Sequence, residues 1–97
     1  MTVDRIISVE INGEGRLCVR PATQAFPLVY RAAMEVSWDP ERGCLLSPQP
    51  RTLTYADWFR RILSAAQDEY GLRLRLTPET KWANVPDETR REMEAAV

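Results

Sequence analysis

RIISVEINGEGRLCVR, residues 5–20, is the stretch that decides the fold of this 97-residue chain. Two segments of alternating apolar and polar residues flank NGEG, and Asn-Gly in that position is the strongest short-range signal for a β-hairpin. A strict two-residue turn pairs Val9 with Arg16, whereas a longer loop with a bulge near Gly15 pairs Val9 with Leu17. We expect the bulged hairpin, because it sorts the side chains cleanly into two faces.

The two faces of this hairpin predict which side of a sheet is buried. Because side chains alternate along a strand, the bulged register separates an apolar set from a polar one. The apolar face holds Ile7, Val9, Ile11, Leu17 and Val19. The polar face holds Ser8, Glu10, Arg16, Cys18 and Arg20.

Residues 29–38 repeat the period of two and predict a third strand, with Tyr30, Ala32, Met34, Val36 and Trp38 on its apolar side. DPERG, residues 39–43, has Asp, Pro and Gly where a type I turn with a bulge requires them. A short fourth strand, residues 44–47, ends at a proline. Together these segments predict a second hairpin.

A helix is predicted over residues 54–70, where an apolar stripe recurs at helical spacing. Thr54 and Asp57 have the spacing of a capping box, and Gly71 is suited to end the helix. GLRLRL, residues 71–76, predicts a fifth strand with leucines on one side and arginines on the other. The following segment, TPETKWANVP, is typical of a loop bounded by prolines.

Residues 86–96 predict a short C-terminal helix whose apolar stripe is thin, so we expect it to dock weakly, fray or pack on another subunit. The order ββββαβα therefore predicts the α+β class: one antiparallel sheet of four to five strands, covered on one face by the long helix. We expect residues 1–97 to form a single domain.

Composition narrows the function classes. The chain has no histidine, which removes the commonest general base and the Ser-His-Asp and Cys-His arrangements. Two cysteines without histidine do not indicate a zinc site or a disulfide framework, so we expect no metal and no cofactor. No signal peptide and no run of apolar residues long enough for a membrane helix is evident, so we expect a cytoplasmic protein with no membrane partner.

Arginine is the candidate functional residue. Twelve of the thirteen cationic residues are arginine and only Lys81 is lysine, and guanidinium groups suit carboxylates and phosphates. In an antiparallel sheet the face opposite the long helix gathers five arginines against two glutamates, a net charge of +3 in a chain of net charge −1. These residues are Arg16, Arg20, Arg31, Arg73 and Arg75, with Glu10 and Glu35. Solvated ion pairs such as Glu10 with Arg16 account for part of this face.

A candidate site for a small anionic ligand or a protein partner follows from this face. Its residues are Arg31, Glu35, Arg73 and Arg75, together with Trp82, an aromatic ring in the predicted loop that can close a pocket or an interface. No catalytic residue is assigned. Single-stranded nucleic acid is not the expected partner, because the polar face offers no aromatic ring for base stacking.

The chain as a whole, opening on RIISVEINGEGRLCVR and closing on KWANVPDETRREMEAAV, resembles the hypothetical proteins carried on integron gene cassettes. The resemblance implies a small bacterial α+β domain that self-associates and sometimes bears a pocket, and it transfers no site residues. We therefore expect a homodimeric binding or regulatory module. The alternatives are a small enzyme that orients an anionic substrate with arginines, and a single-stranded nucleic-acid binder.

Overall fold

A computed structural model describes residues 2–96 and shows a mixed α+β fold, which confirms the predicted class. The strands are β1 (Thr2–Ile11), β2 (Leu17–Pro21), β3 (Ser37–Asp39), β4 (Cys44–Leu46), β5 (Leu72–Arg75) and β6 (Lys81–Ala83). The helices are α1 (Tyr55–Tyr70) and α2 (Asp87–Ala95), and a 3-10 turn covers Val29–Arg31.

The sheet is organised around β1, which pairs along both of its edges. Its order is β3-β4-β2-β1-β5, and β6 also pairs with β1. The pairs on the β2 side, from β1 to β3, are antiparallel. On the other side β5 and β6 run parallel to β1, one after the other. The sheet is therefore mostly antiparallel with a parallel edge, and β6 lies in the segment that was predicted to be a loop.

The hairpin β1–β2 is present, but its expected register is wrong by two residues. Val9 pairs with Val19 rather than with Leu17, because the loop between the paired Ile11 and Leu17, residues 12–16, is longer than the bulged turn requires. The Asn12 side chain accepts hydrogen bonds from the backbone N–H groups of Glu14 and Arg16 and holds this loop. A shift of two residues leaves the side chains of β2, and those of β1 from Ser8 onward, on their predicted faces.

The bulge of this hairpin lies within β1, at Ile7, and not near the turn. It exchanges the roles of two neighbouring isoleucines: Ile6 is 1% exposed in the core and Ile7 is 42% exposed. On the other edge of β1, in the gap between its pairing with β5, which ends at Arg5, and with β6, which begins at Ser8, the Ile6 carbonyl accepts a hydrogen bond from the Thr80 hydroxyl at 2.7 Å. This bond fixes the connection between β5 and β6 against the irregular part of β1.

The prediction of a strand over residues 29–38 is wrong except at the end of that segment, where β3 begins. A 3-10 turn replaces most of it, and Tyr30 and Met34, expected in the core, are 51% and 91% exposed. The buried positions are Val29 and Val36. The segment wraps over the end of α1, where the hydroxyl of Tyr70 accepts the backbone N–H of Leu28. These contacts, which the sequence pattern does not encode, override the period of two.

Helix α1 begins and ends as predicted. Thr54 and Asp57 exchange both hydrogen bonds of a capping box, and Gly71 takes the left-handed conformation (φ 62°) that stops the helix at little steric cost. One side of α1 is buried against the sheet, and its buried residues are Ala56, Trp58, Phe59, Ile62, Ala65 and Ala66. Burial of two aromatic rings on one helix supplies much of the apolar contact that the core needs.

Helix α2 packs more firmly than its thin stripe predicts. Met93 is completely buried and belongs to the main core, and α2 contacts α1. On its outer side Arg90 and Glu94, one helical turn apart, form an ion pair at 3.6 Å. Neither α1 nor α2 is long and apolar enough to cross a membrane.

A buried carboxylate, Asp4, ties β1 to the segment that follows β2. Its oxygens accept the backbone N–H groups of Thr23, Gln24 and Arg5 at 2.9–3.0 Å. Burial raises the pKa of Asp4, but these three hydrogen bonds stabilise the ionised form and together hold its pKa below the ordinary value. The sequence offers no signal for this role, because the partners are backbone groups of a distant loop.

We predict that Asp4→Asn loses a pH-dependent part of the stability. A depressed pKa in the folded state stabilises the fold above the unfolded-state value of about 3.9, and this contribution disappears as the pH falls through the folded-state pKa. The difference in free energy of unfolding between wild type and Asp4→Asn should therefore shrink from about pH 6 to about pH 3 in urea titrations. The exposed control Asp68→Asn should show a much flatter difference; an equal slope would contradict the role of Asp4.

Candidate functional site

The sheet face opposite α1 carries a concentration of cationic side chains. In β5, Leu72 and Leu74 are buried against the core, so Arg73 and Arg75 point the other way and are exposed. Across the parallel pair Arg75 lies beside Arg5. Ser8 pairs with Arg20 on one edge and with Lys81 on the other, which adds two cations to the same face.

A cleft opens where β5 meets the outer side of α1 and the end of α2, with a volume of about 860 Å³. We call it the basic cleft, because four arginines line it: Arg60, Arg73, Arg75 and Arg90. Its apolar lining comes from Leu63, Leu74 and Leu76, and its polar lining includes Ser64, Gln67, Thr77, Asp68 and Glu94. Four cations against two anions leave a formal charge of +2 in the lining.

The arginines of the basic cleft differ in how they are paired. Arg60 forms an ion pair with Asp57 on α1, and Arg90 lies 3.6 Å from Glu94. Among residues 2–96, Arg73 and Arg75 have no carboxylate within ion-pair distance. With Arg5 beside Arg75, positive charge exceeds the negative charge of Asp68 and Glu94 here. Guanidinium groups in this state can form forked hydrogen bonds to a carboxylate or a phosphate.

Trp82 contributes to the basic cleft indirectly. It lies in β6, pairs with Val9 and is half-buried against the core. The guanidinium of Arg90 stacks on its ring, 4.9 Å from the centroid. The Trp82 ring therefore makes a cation–π contact with an arginine of the cleft, and this contact restricts the rotamers of Arg90.

Two of the residues predicted for the site lie elsewhere. Arg31, expected on a strand, sits in the 3-10 turn and forms an ion pair with Glu69 of α1 at 3.7 Å. Glu35 lines a second cleft of about 530 Å³, together with Arg51 and Arg61. The structure thus brings together Arg73 and Arg75, places Trp82 beneath Arg90 and separates Arg31 and Glu35 from them.

The second cleft borders a polar atom without a partner. Trp58 lines this cleft, and its ring nitrogen is buried with no hydrogen-bond acceptor among the described residues. Arg61 lies over the same ring, 5.5 Å from its centroid. Most buried polar groups in proteins are paired, so this N–H is an exception that a water molecule can satisfy.

The remaining arginines of the predicted polar face have structural roles. Arg16 donates from Nε to the carbonyl of Ser47 at 2.7 Å, and Arg20 donates from Nε to the carbonyl of Arg42 at 3.1 Å. Both bonds tie β2 and the turn before it to the second hairpin. Hydrogen bonds to backbone carbonyls, and not only solvation, therefore account for the presence of Arg16 and Arg20 on this face.

Cys18 and Cys44 lie on the same sheet face and form a small buried cluster with Leu46. A hydrogen bond from Cys44 lowers the pKa of Cys18 against the opposing effect of burial, and the positive charges of Arg42 and Arg16 act in the same direction. The same hydrogen bond and burial raise the pKa of Cys44. The pKa values of the two thiols therefore move apart, and Cys18 is the more readily ionised of the two.

Residues missed at the sequence level complete the cleft. The sequence patterns assign no role in the site to Arg5, Arg60 or Arg90. For Arg60 the available signal is its spacing on α1, because Arg60, Ser64 and Gln67 share one side of that helix. That side becomes informative only once α2 and the edge of β5 are known to lie beside it.

Comparison with known proteins gives a consistent result. A protein-family model described as Integron Cassette Protein Hfx_Cass5 matches residues 4–80. A solved structure, the integron cassette protein Hfx_Cass5 from the mobile metagenome of the North West Arm sewage outfall, is 44% identical. The match covers 99% of this chain and 96% of that chain, with a TM-score of 0.51. No curated protein matches.

We predict that Arg90→Ala destabilises the protein more than Arg91→Ala. The first substitution removes the stack on Trp82 and the pair with Glu94, which together are worth about 1 kcal/mol at a surface site. Arg91 is exposed on the same helix and has no ion pair among the described residues, so its removal should change stability by less than about 0.5 kcal/mol. Denaturant unfolding measures both; equal effects would refute the stacking role of Arg90.

Proposed function

The chain belongs to the integron cassette protein family Hfx_Cass5, as its resemblance indicated. Because that family name states no activity, we propose a function from the site. This function is the non-catalytic binding of a small organic anion in the basic cleft. The observation that carries the proposal is the pair Arg73 and Arg75, which line the cleft and lack a carboxylate partner among residues 2–96.

The charge distribution supports an anion in preference to a neutral ligand. The chain has a net charge of −1, yet the cleft lining is formally +2 and Arg5 adds a further cation beside it. Like charges held close together on neighbouring strands are destabilising unless solvent or an opposite charge compensates them. A bound carboxylate or phosphate would relieve this repulsion and would gain forked hydrogen bonds.

The shape of the cleft supports a ligand that also has an apolar part. Its volume of about 860 Å³ lies within the range of small-molecule pockets, about 300–1,000 Å³. Leu63, Leu74 and Leu76 form the apolar part of the lining, next to the arginines. An amphipathic acid, such as an aryl or alkyl carboxylate or a phosphate monoester, would match both the arginines and the apolar part of the lining.

We predict that such acids stabilise the wild type through Arg73 and Arg75. A thermal-shift screen of aryl carboxylates, alkyl carboxylates and phosphate monoesters should raise the melting temperature, and calorimetry of the best compound should give its Kd. A charge-assisted hydrogen bond contributes about 1.5–3 kcal/mol, so Arg73→Ala or Arg75→Ala should weaken binding by about tenfold to a hundredfold.

Arg91→Ala is the matched control for this experiment, because it also removes one exposed positive charge from the chain but does not line the basic cleft. It should leave the Kd unchanged within about twofold, the change expected from a distant surface charge. A screen in which no anion stabilises the wild type, or in which Arg91→Ala weakens binding as much as Arg73→Ala, would overturn the proposal.

Self-association is the second part of the proposed function. Leu28, Tyr30 and Met34 are 42%, 51% and 91% exposed within one seven-residue segment, an unusual amount of apolar surface for so short a stretch. We propose that this segment forms the contact of the homodimer that the sequence led us to expect. Burial of such side chains is the ordinary source of stability in a homodimer.

We predict that light scattering gives the mass of a dimer for the wild type at tens of micromolar and the mass of a monomer for Met34→Glu. Ile7→Glu is the control, because Ile7 is also exposed, at 42%, but lies at the bulge of β1. It should remain dimeric. A monomeric wild type, or dissociation by Ile7→Glu alone, would contradict an interface at residues 28–34.

A further inference from the structure

The two cysteines of the chain are diagonal neighbours on the sheet face opposite α1. In the β2–β4 ladder Cys18 pairs with Leu46, which places Cys44 two residues away on the facing strand and on the same face. Cys18 is 7% exposed and Cys44 is 1% exposed. These are the only cysteines of the protein, and the fold brings them together from positions 26 residues apart in the chain.

The geometry of this pair is unfavourable for a disulfide. Diagonal neighbours across an antiparallel ladder have Cα atoms about 7–8 Å apart, whereas a relaxed disulfide needs about 4.4–6.8 Å. A metal ion between the two sulfurs allows a wider separation, because each metal–sulfur bond is about 2.3 Å long. The arrangement therefore suits two thiolates that share one ion.

The donor set restricts which ion fits. Among residues 2–96 no group of three or more His, Cys, Asp or Glu side chains is arranged to hold a metal. Structural zinc needs four ligands, so a two-sulfur site does not match it. Soft thiolate donors select Cu(I), which accepts two-coordinate binding. We propose that Cys18 and Cys44 bind one Cu(I) ion between their sulfur atoms.

The charge balance of the site fits such a complex. Binding releases both thiol protons to solvent, copper remains Cu(I), and two thiolates with one monovalent cation carry a charge of −1. The charged groups near the thiols are Glu10, Asp39, Arg16, Arg20 and Arg42. Three cations against two anions supply +1, so the bound site would be neutral overall.

The three arginines near the thiols are held to different degrees. Arg16 and Arg20 are anchored through Nε to the backbone carbonyls of Ser47 and Arg42. Arg42 has a side chain 60% exposed and lies 4.0 Å from Asp39, a loose contact at the surface. Two of the three positive charges near the thiols are therefore fixed by hydrogen bonds to the backbone.

This inference is independent of the basic cleft, which uses none of these residues. The test is a competition experiment under anaerobic conditions, with reduced protein and Cu(I) supplied as its coloured bicinchoninate complex. The wild type should withdraw one Cu(I) per chain. Cys18→Ser and Cys44→Ser should each weaken binding by more than about a hundredfold, since loss of a direct ligand exceeds the effect of an outer-shell partner.

X-ray absorption of the copper-loaded wild type gives a readout that requires no variant, should a serine substitution impair folding. It should show two sulfur neighbours and no nitrogen or oxygen at bonding distance. Arg73→Ala, which alters the basic cleft alone, should bind Cu(I) as the wild type does. No uptake, full uptake by either single-cysteine variant, or one ion shared between two chains would each overturn the site.

Discussion

Every part of this structure depends on β1 being hydrogen-bonded along both edges. A strand in the middle of a sheet cannot leave its backbone N–H and C=O groups unpaired, because desolvation without a partner is costly. Residues 17–21 satisfy one edge, and two strands from the last third of the chain satisfy the other. In the gap between β5 and β6, where neither strand pairs with Ile6, the hydroxyl of Thr80 donates to the Ile6 carbonyl in place of a ladder partner. Loops, helices and clefts are arranged around this central strand.

The features that sequence reasoning predicted correctly are those with local causes. The capping box of Thr54 with Asp57, the glycine stop at residue 71 and the turn at residues 39–43 each rest on hydrogen bonds or backbone angles within a few residues. The pairing of the hairpin β1–β2 is also local, although the loop held by the side chain of Asn12 is longer than expected. Local chemistry of this kind can be read directly from spacing.

The features that were missed depend on contacts distant in sequence. Alternation over residues 29–38 resembles a strand, but the hydroxyl of Tyr70 and the packing of Phe26 against that ring draw the segment over the end of α1 instead. The parallel direction of β5 and the existence of β6 follow from β1 having a free edge, which no window of residues around position 75 or 82 reveals. The same limit applies to the site. Alternation in GLRLRL identified Arg73 and Arg75, whereas Arg60 and Arg90 joined them only through the docking of α2.

The position of β1 also has a consequence for biosynthesis. β1 forms the centre of the sheet, but the strands that complete one of its edges come later in the chain, at residues 72–83. Until those residues have been synthesised, the nascent chain therefore carries a central strand with one unpaired edge, a species open to aggregation. Closure of a loop of that length is also a slow step in folding. A chain truncated after α1 would lack the native partners of that edge, so the sheet is completed only once residues 72–83 are present.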